Sequence, residues 1–207
     1  MPKIKINDVD NYNVVETAGF FSLKDDHDTA VVRFMYETDD DIELDVVHEI
    51  EVDGKPRNVN CLRSYDDPID DCPLCRAGNR PKVKMFVPVF VMGKDGKGEV
   101  KIWQRGKTFA KQLTSMCARY NPLVSTPIEI ERQGKKGDQT TKYQLYPHQS
   151  DDVTLDDLPE VPSPIGTIIL DKSYEELEYY LENGAFKGQQ ITERTTTEPP
   201  VKRRRAF

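Results

Sequence analysis

The chain has 207 residues, 37% hydrophobic and 31% charged, with four cysteines, one tryptophan and a formal net charge of −7. That length holds one full domain plus tails, or two small domains, and the apolar content is low for a chain packed throughout, so part of it is expected to be flexible. Neither a signal peptide nor a transmembrane stretch is expected, which argues against membrane insertion and disulfide stapling and for an intracellular setting.

Residues 1–28 show weak periodicity and read as a loosely packed arm. Residues 29–36 are rich in β-branched and aromatic side chains and predict a strand, broken by Asp39-Asp40-Asp41. A second strand is expected over 44–52, with His48 inside it. Asp53-Gly54-Lys55 is a strong hairpin signal, so 57–62 should return beside that strand and carry Cys61 back towards His48. An acidic loop over 64–71 leads to Cys72-Pro73-Leu74-Cys75.

This last motif is a metal knuckle, a tight turn that points two thiolates at one ion. With Cys61 and His48 it completes a Cys3His shell, the donor set of structural rather than catalytic zinc, so one Zn2+ is expected on His48, Cys61, Cys72 and Cys75. The competing reading is a redox-active or unliganded thiol pair. Redox chemistry of the thioredoxin kind needs a βαβ setting, whereas the flanks here read as hairpin strands. Cys117 falls in a helical pattern with Phe109, Leu113, Met116 and Tyr120 and reads as a small buried residue. His27 and His148 lie in polar stretches and read as solvated.

Beyond the knuckle, a long strand is expected over 82–92, an open Gly/Lys turn over 93–98 and a returning strand over 99–105. Residues 107–120 have apolar side chains at helical spacing, ending before Asn121-Pro122. A last hairpin pairs 127–132 with 140–146 around Gly134-Lys135-Lys136-Gly137. Strands, one helix and a closing hairpin predict a mainly β fold over 29–150, a five-stranded Greek-key barrel of the OB type with the zinc unit inserted at about 46–80. In 151–207, Pro159, Pro162 and Pro164 mark an acidic linker. Ser173 and Glu176 have capping-box spacing, and Gly184 suits a C-cap, so 173–183 reads as a short acidic helix. The tail then reads as disordered and ends Lys202-Arg203-Arg204-Arg205-Ala206-Phe207.

The charge is not evenly spread. Residues 1–51 carry 4 basic and 14 acidic side chains, 52–150 carry 18 and 10, and 151–207 carry 7 and 12. A basic middle between acidic flanks can attract a polyanion while the flanks compete for the same groove. Alternation along 82–92 puts Val83, Met85, Val87, Val89 and Val91 on one side and Lys82, Lys84, Phe86, Pro88 and Phe90 on the other. The returning strand sets Lys101, Trp103 and Arg105 opposite Val100, Ile102 and Gln104. Aromatics interleaved with cations suit single-stranded nucleic acid, because the rings stack on unpaired bases and the cations follow the phosphates. Arg76, Arg80, Lys107, Lys111, Lys135, Lys136 and Lys142 are expected to extend the track. The rings can instead cover a second small core under the zinc unit or the C-terminal segment.

The order His48-x12-Cys61-x10-Cys72-x2-Cys75, followed by a basic aromatic barrel and an acidic C-terminal region, resembles the helix-destabilising single-stranded DNA-binding proteins of T-even bacteriophages. The resemblance covers roughly residues 30–150 in layout. It implies an OB barrel with a zinc subdomain beside a DNA cleft, and cooperative coating of unpaired DNA in replication, recombination and repair. It also implies self-association on DNA, contacts with replication and recombination proteins through the acidic C-terminal region, and residence in the cytoplasm of a bacterial host. The four metal ligands carry over directly, whereas the DNA contacts rest on the alternation above. The arm carries only Lys3 and Lys5 where that family has a basic cooperativity motif. With no nucleophile–base pair or phosphate loop in view, the chain is expected not to be an enzyme. The rival expectations are a zinc-bearing transcription or replication accessory factor acting through protein contacts, and a nuclease using Asp66-Asp67 and Asp70-Asp71.

Overall fold

The computed structural model describes residues 19–92, 98–138, 140–149, 151 and 153–187. Most of the expected N-terminal arm, the turn at 93–97 and the tail with its basic end lie outside the described residues.

The architecture is mainly β. Strand β1 (Thr29–Phe34) is followed by the hairpin β2 (Asp45–Val52) and β3 (Lys55–Asn60), the short helix α1 (Pro73–Arg76), and a second hairpin of β4 (Lys82–Met92) and β5 (Gly98–Gly106). Helix α2 (Phe109–Arg119), a third hairpin of β6 (Ile128–Gln133) and β7 (Lys142–Pro147), strand β8 (Ile169–Leu170) and helix α3 (Tyr174–Asn183) complete it. The first hairpin turns at Asp53 and Gly54, both at positive φ (52° and 71°), the left-handed pair that a two-residue type I′ turn requires. Ser173 and Glu176 form the expected capping box on α3, and Gly184 closes the helix at φ 72°.

The strands form one mixed sheet in the order β7-β6-β1-β4-β2-β3-β8, with β5 added to β4. Strand β4 organises this arrangement because its 11 residues exceed any single partner. Its start pairs with β2, its end with β1, and nearly its whole length with β5. The pairings between these strands are antiparallel except β3 with β8, and isolated parallel bridges join Phe20 to Ile102 and Ile165 to Ile169.

Three cores follow. The largest joins Phe34, Met85, Val87, Val89, Trp103, Ile128 and Ile130 to the inner face of α2 through Phe109, Leu113 and Cys117. A second lies under the knuckle, where Ile50, Val59, Cys72, Leu74 and Cys75 meet Leu177 and Phe186. The third sets Phe86, Val47 and Ile102 against Ile168 and Ile169. Two of the three cores therefore need the C-terminal segment. Residues expected to be an acidic linker and a short helix are part of the packed structure, and Asp151 is tied to buried Arg33 at 2.5 and 2.9 Å.

Candidate functional site

The Asp53-Gly54 turn fixes the register of the first hairpin, opposing His48 to Val59, and the pairing continues as the Cys61 N–H donates to the Val46 carbonyl at 3.0 Å. Cys61 thereby arrives beside His48. Helix α1 supplies the other two ligands from one turn, with Cys72 before it and Cys75 within it. The four donor atoms lie within 4.8 Å of one another. His48 Nε2 is 3.4 Å from Cys72 Sγ and 3.5 Å from Cys75 Sγ, and the sulfurs of Cys61 and Cys75 are 3.8 Å apart. His48, Cys72 and Cys75 are buried and Cys61 is half-buried. The quartet can hold a metal ion. The far nitrogen of the imidazole, Nδ1, lies 3.3 Å from Asn79 Oδ1, and Asn79 in turn donates to the Glu49 carbonyl. An outer partner of this kind fixes a ligand ring's tautomer and direction. No spacing rule in the sequence singles out Asn79; its place follows from the turn after α1, where its N–H donates to the Leu74 carbonyl.

Burial pushes the Cys75 thiol up to about 12 and lowers the His48 pKa, against the Asn79 contact. Burial also opposes ionisation of Cys72, but backbone N–H groups around it prevail and hold it below the ordinary thiol value. With the quartet left alone, burial favours the neutral forms of Cys61, Cys75 and His48, while Cys72 is shifted towards its thiolate. A divalent cation reverses that balance by displacing the thiol protons.

The expected aromatic stacking face is not present. Cross-strand partners share a face, and the register opposes Trp103 to Val87 and Phe86 to Gln104. Trp103 therefore lies on the same side as Val87 and Val89, inside the largest core, and the stripes of β4 and β5 lie on opposite faces of their hairpin. Phe86 and Phe90 do face away from that core, but both are buried, Phe86 under Ile168 and Ile169. Phe90 lies across Gly98, where an added Cβ would come within 1.9 Å of its ring. A groove of about 380 Å³ remains beside Phe86 and Pro88, and its acidic rim of Glu37, Asp41, Glu43 and Asp45 does not suit a polyanion.

The expected cations divide into two groups. Lys82 and Lys84 both pair with Glu49, and Lys84 is buried and also donates to Asn58. Arg76 binds Glu178 and the Tyr174 hydroxyl, and Lys101 binds Glu99. These four are neutralised within the fold and make a poor phosphate track. Arg80, Lys107, Lys111, Lys135, Lys136 and Lys142 are exposed and have no acidic partner among the described residues. Five of those six come from the start of α2 and the β6–β7 hairpin. Arg105, half-buried at the end of β5, stands between these two segments.

A comparison with protein-family models finds no match, and a comparison with curated proteins finds none either. Among the described residues, no helix is long and apolar enough to cross a membrane.

Proposed function

We propose that this is a sequence-independent single-stranded DNA-binding protein of phage type, without enzymatic activity, built on an OB barrel that carries one structural zinc ion. The observation that carries this reading is the connectivity. The order β5-β4-β1-β6-β7, with α2 between β5 and β6, supports a five-stranded OB arrangement, in which the metal unit would occupy the connection between the first two strands. OB folds bind oligonucleotides through their strand faces and connecting loops.

Zinc is supported by the quartet's dimensions. Bonds of about 2.3 Å to sulfur and about 2.0–2.1 Å to nitrogen give tetrahedral edges of about 3.8 Å between sulfurs and about 3.5 Å between sulfur and nitrogen. The observed 3.8, 3.4 and 3.5 Å fit those edges. Four protein ligands leave no open position for a catalytic water, which favours a structural role. The partners in this reading are unpaired DNA, replication and recombination proteins reached through the acidic C-terminal region, and further copies of the chain on DNA, all in the cytoplasm of a bacterial host.

A second reading, an accessory factor acting through protein contacts, is favoured by the cover that residues 161–169 place over β4 and β5. Titration of a labelled single strand at several salt concentrations separates the two. With about five phosphates contacted, log affinity falls against log salt with a slope of about −3.5, and duplex of the same sequence binds more weakly. No single-strand binding, or equal binding to duplex, overturns the DNA-binding reading.

A further inference from the structure

Strand β5 pairs with β4 and β7 pairs with β6, and no pairing joins β5 to β7 among the described residues. The sheet therefore has an open seam, and a cleft of about 360 Å³ lies in it, lined by Arg105, Thr108, Phe109, Gln112, Lys142 and Tyr143. Among the described residues, no carboxylate lines it. The Arg105 guanidinium lies 4.7 Å over the Trp103 ring, 4.3 Å over Tyr143 and 5.6 Å from Phe109. Its Nε is the one buried side-chain N or O atom without a hydrogen-bond partner among the described residues, and no acidic group pairs with the guanidinium. Burial lowers the Arg105 pKa, against the Tyr143 hydroxyl, yet a guanidinium remains a cation at neutral pH. The start of α2 forms one wall, where the positive end of the helix dipole favours anions, although the Ala110 N–H already donates to the Lys107 carbonyl.

We propose that this seam is a phosphate subsite that takes a phosphodiester of a single nucleic-acid strand, held between Arg105 and Lys142, with the strand continuing over the exposed lysines at 107, 111, 135 and 136. The proposal rests on the DNA-binding reading and moves its interface. The outer face of β4 and β5 is covered and acid-rimmed, whereas the seam combines an unpaired planar cation with free lysines on both sides. Arginine suits this position because its rigid fork matches a phosphate's oxygens while its flat face stays on the rings.

The chain's single tryptophan forms part of the wall behind Arg105, which makes the test internal to the protein. A labelled 12-nucleotide thymidine strand is titrated while anisotropy and Trp103 emission are recorded together. Inorganic phosphate is titrated separately. Strand binding is expected to shift Trp103 emission in step with anisotropy. Lys142→Gln and Gln112→Glu, both at exposed positions, are expected to weaken strand binding about tenfold, the equivalent of one charge-assisted hydrogen bond. Lys142→Gln should also make the salt slope shallower by about 0.7. Anisotropy that rises while Trp103 emission and both variants stay unchanged overturns the seam but leaves the DNA-binding reading standing. Absence of any strand binding overturns that reading itself. A Trp103 response to inorganic phosphate with none to the bound strand overturns the assignment of the site to a strand.

Discussion

Trp103 is enclosed by other rings. Phe21, Phe109 and Tyr143 meet it edge-on at 5.7, 5.1 and 5.0 Å between centroids, and Phe34 lies nearly parallel at 6.4 Å. At 3% exposure the indole is buried among them. Trp103→Ala should therefore cost about 3–5 kcal/mol, seen as a lower midpoint in denaturant unfolding, because the lost transfer energy is joined by a cavity. A variant that unfolds like the parent would remove Trp103 from the core. Alternation correctly separates the two sides of β4 and of β5, but it cannot say which side of one strand meets which side of the other. That depends on cross-strand register, which opposes Met92 to Gly98 here and which alternation within one strand does not specify. The metal quartet was legible for the opposite reason: Asp53-Gly54 admits essentially one turn type, so the approach of Cys61 to His48 follows from local chemistry.

Glu49 holds the centre of the sheet at the scale of elements. It lies on β2 and accepts from Lys82 and Lys84 of β4, while Lys84 also reaches Asn58 of β3 at 2.7 Å. Glu49 thus ties β2 to β4, and Lys84 extends the link to β3. Both lysines read as phosphate contacts in the sequence, because the acid that engages them is 33 and 35 residues away and no local pattern reveals such a pairing. The capping box and C-cap glycine of α3 are short-range signals, and they were legible. Hydrogen bonds from Lys82, then Lys84, hold the Glu49 carboxyl below its ordinary value. A depressed carboxyl stabilises the fold above its unfolded value, about 4.3, and that stabilisation is lost as pH falls through the folded value. Thermal melts between pH 6 and 3 should show a shallower acid-side decline for Glu49→Gln than for the parent. Equal declines would mean that the Lys82 and Lys84 contacts do not bias its ionisation.

The metal unit and the C-terminal segment depend on each other across the whole molecule. Leu177 and Phe186 complete the core that contains Cys72 and Cys75, Arg76 binds Glu178 and Tyr174, and the Tyr180 hydroxyl donates to the Glu51 carbonyl. From there the chain reaches back through β8, on the edge of β3, to Ile168 over Phe86. A cation at the quartet would therefore support more than the knuckle. Without it, the three thiols and the imidazole lose their common partner, and α1, only four residues long, cannot hold its turn alone. Chelation should raise amide exchange in α1 and α3 together and then at β8, while β1, β4 and β6 around the largest core stay protected. Metal analysis should return one zinc per chain, lost in Cys72→Ser. Exchange rising in α1 with α3 unmoved would show that α3 is anchored without the metal. A rise throughout the sheet would instead make the ion essential to the entire fold, because β2 carries His48 and the Glu49 linkage on adjacent residues.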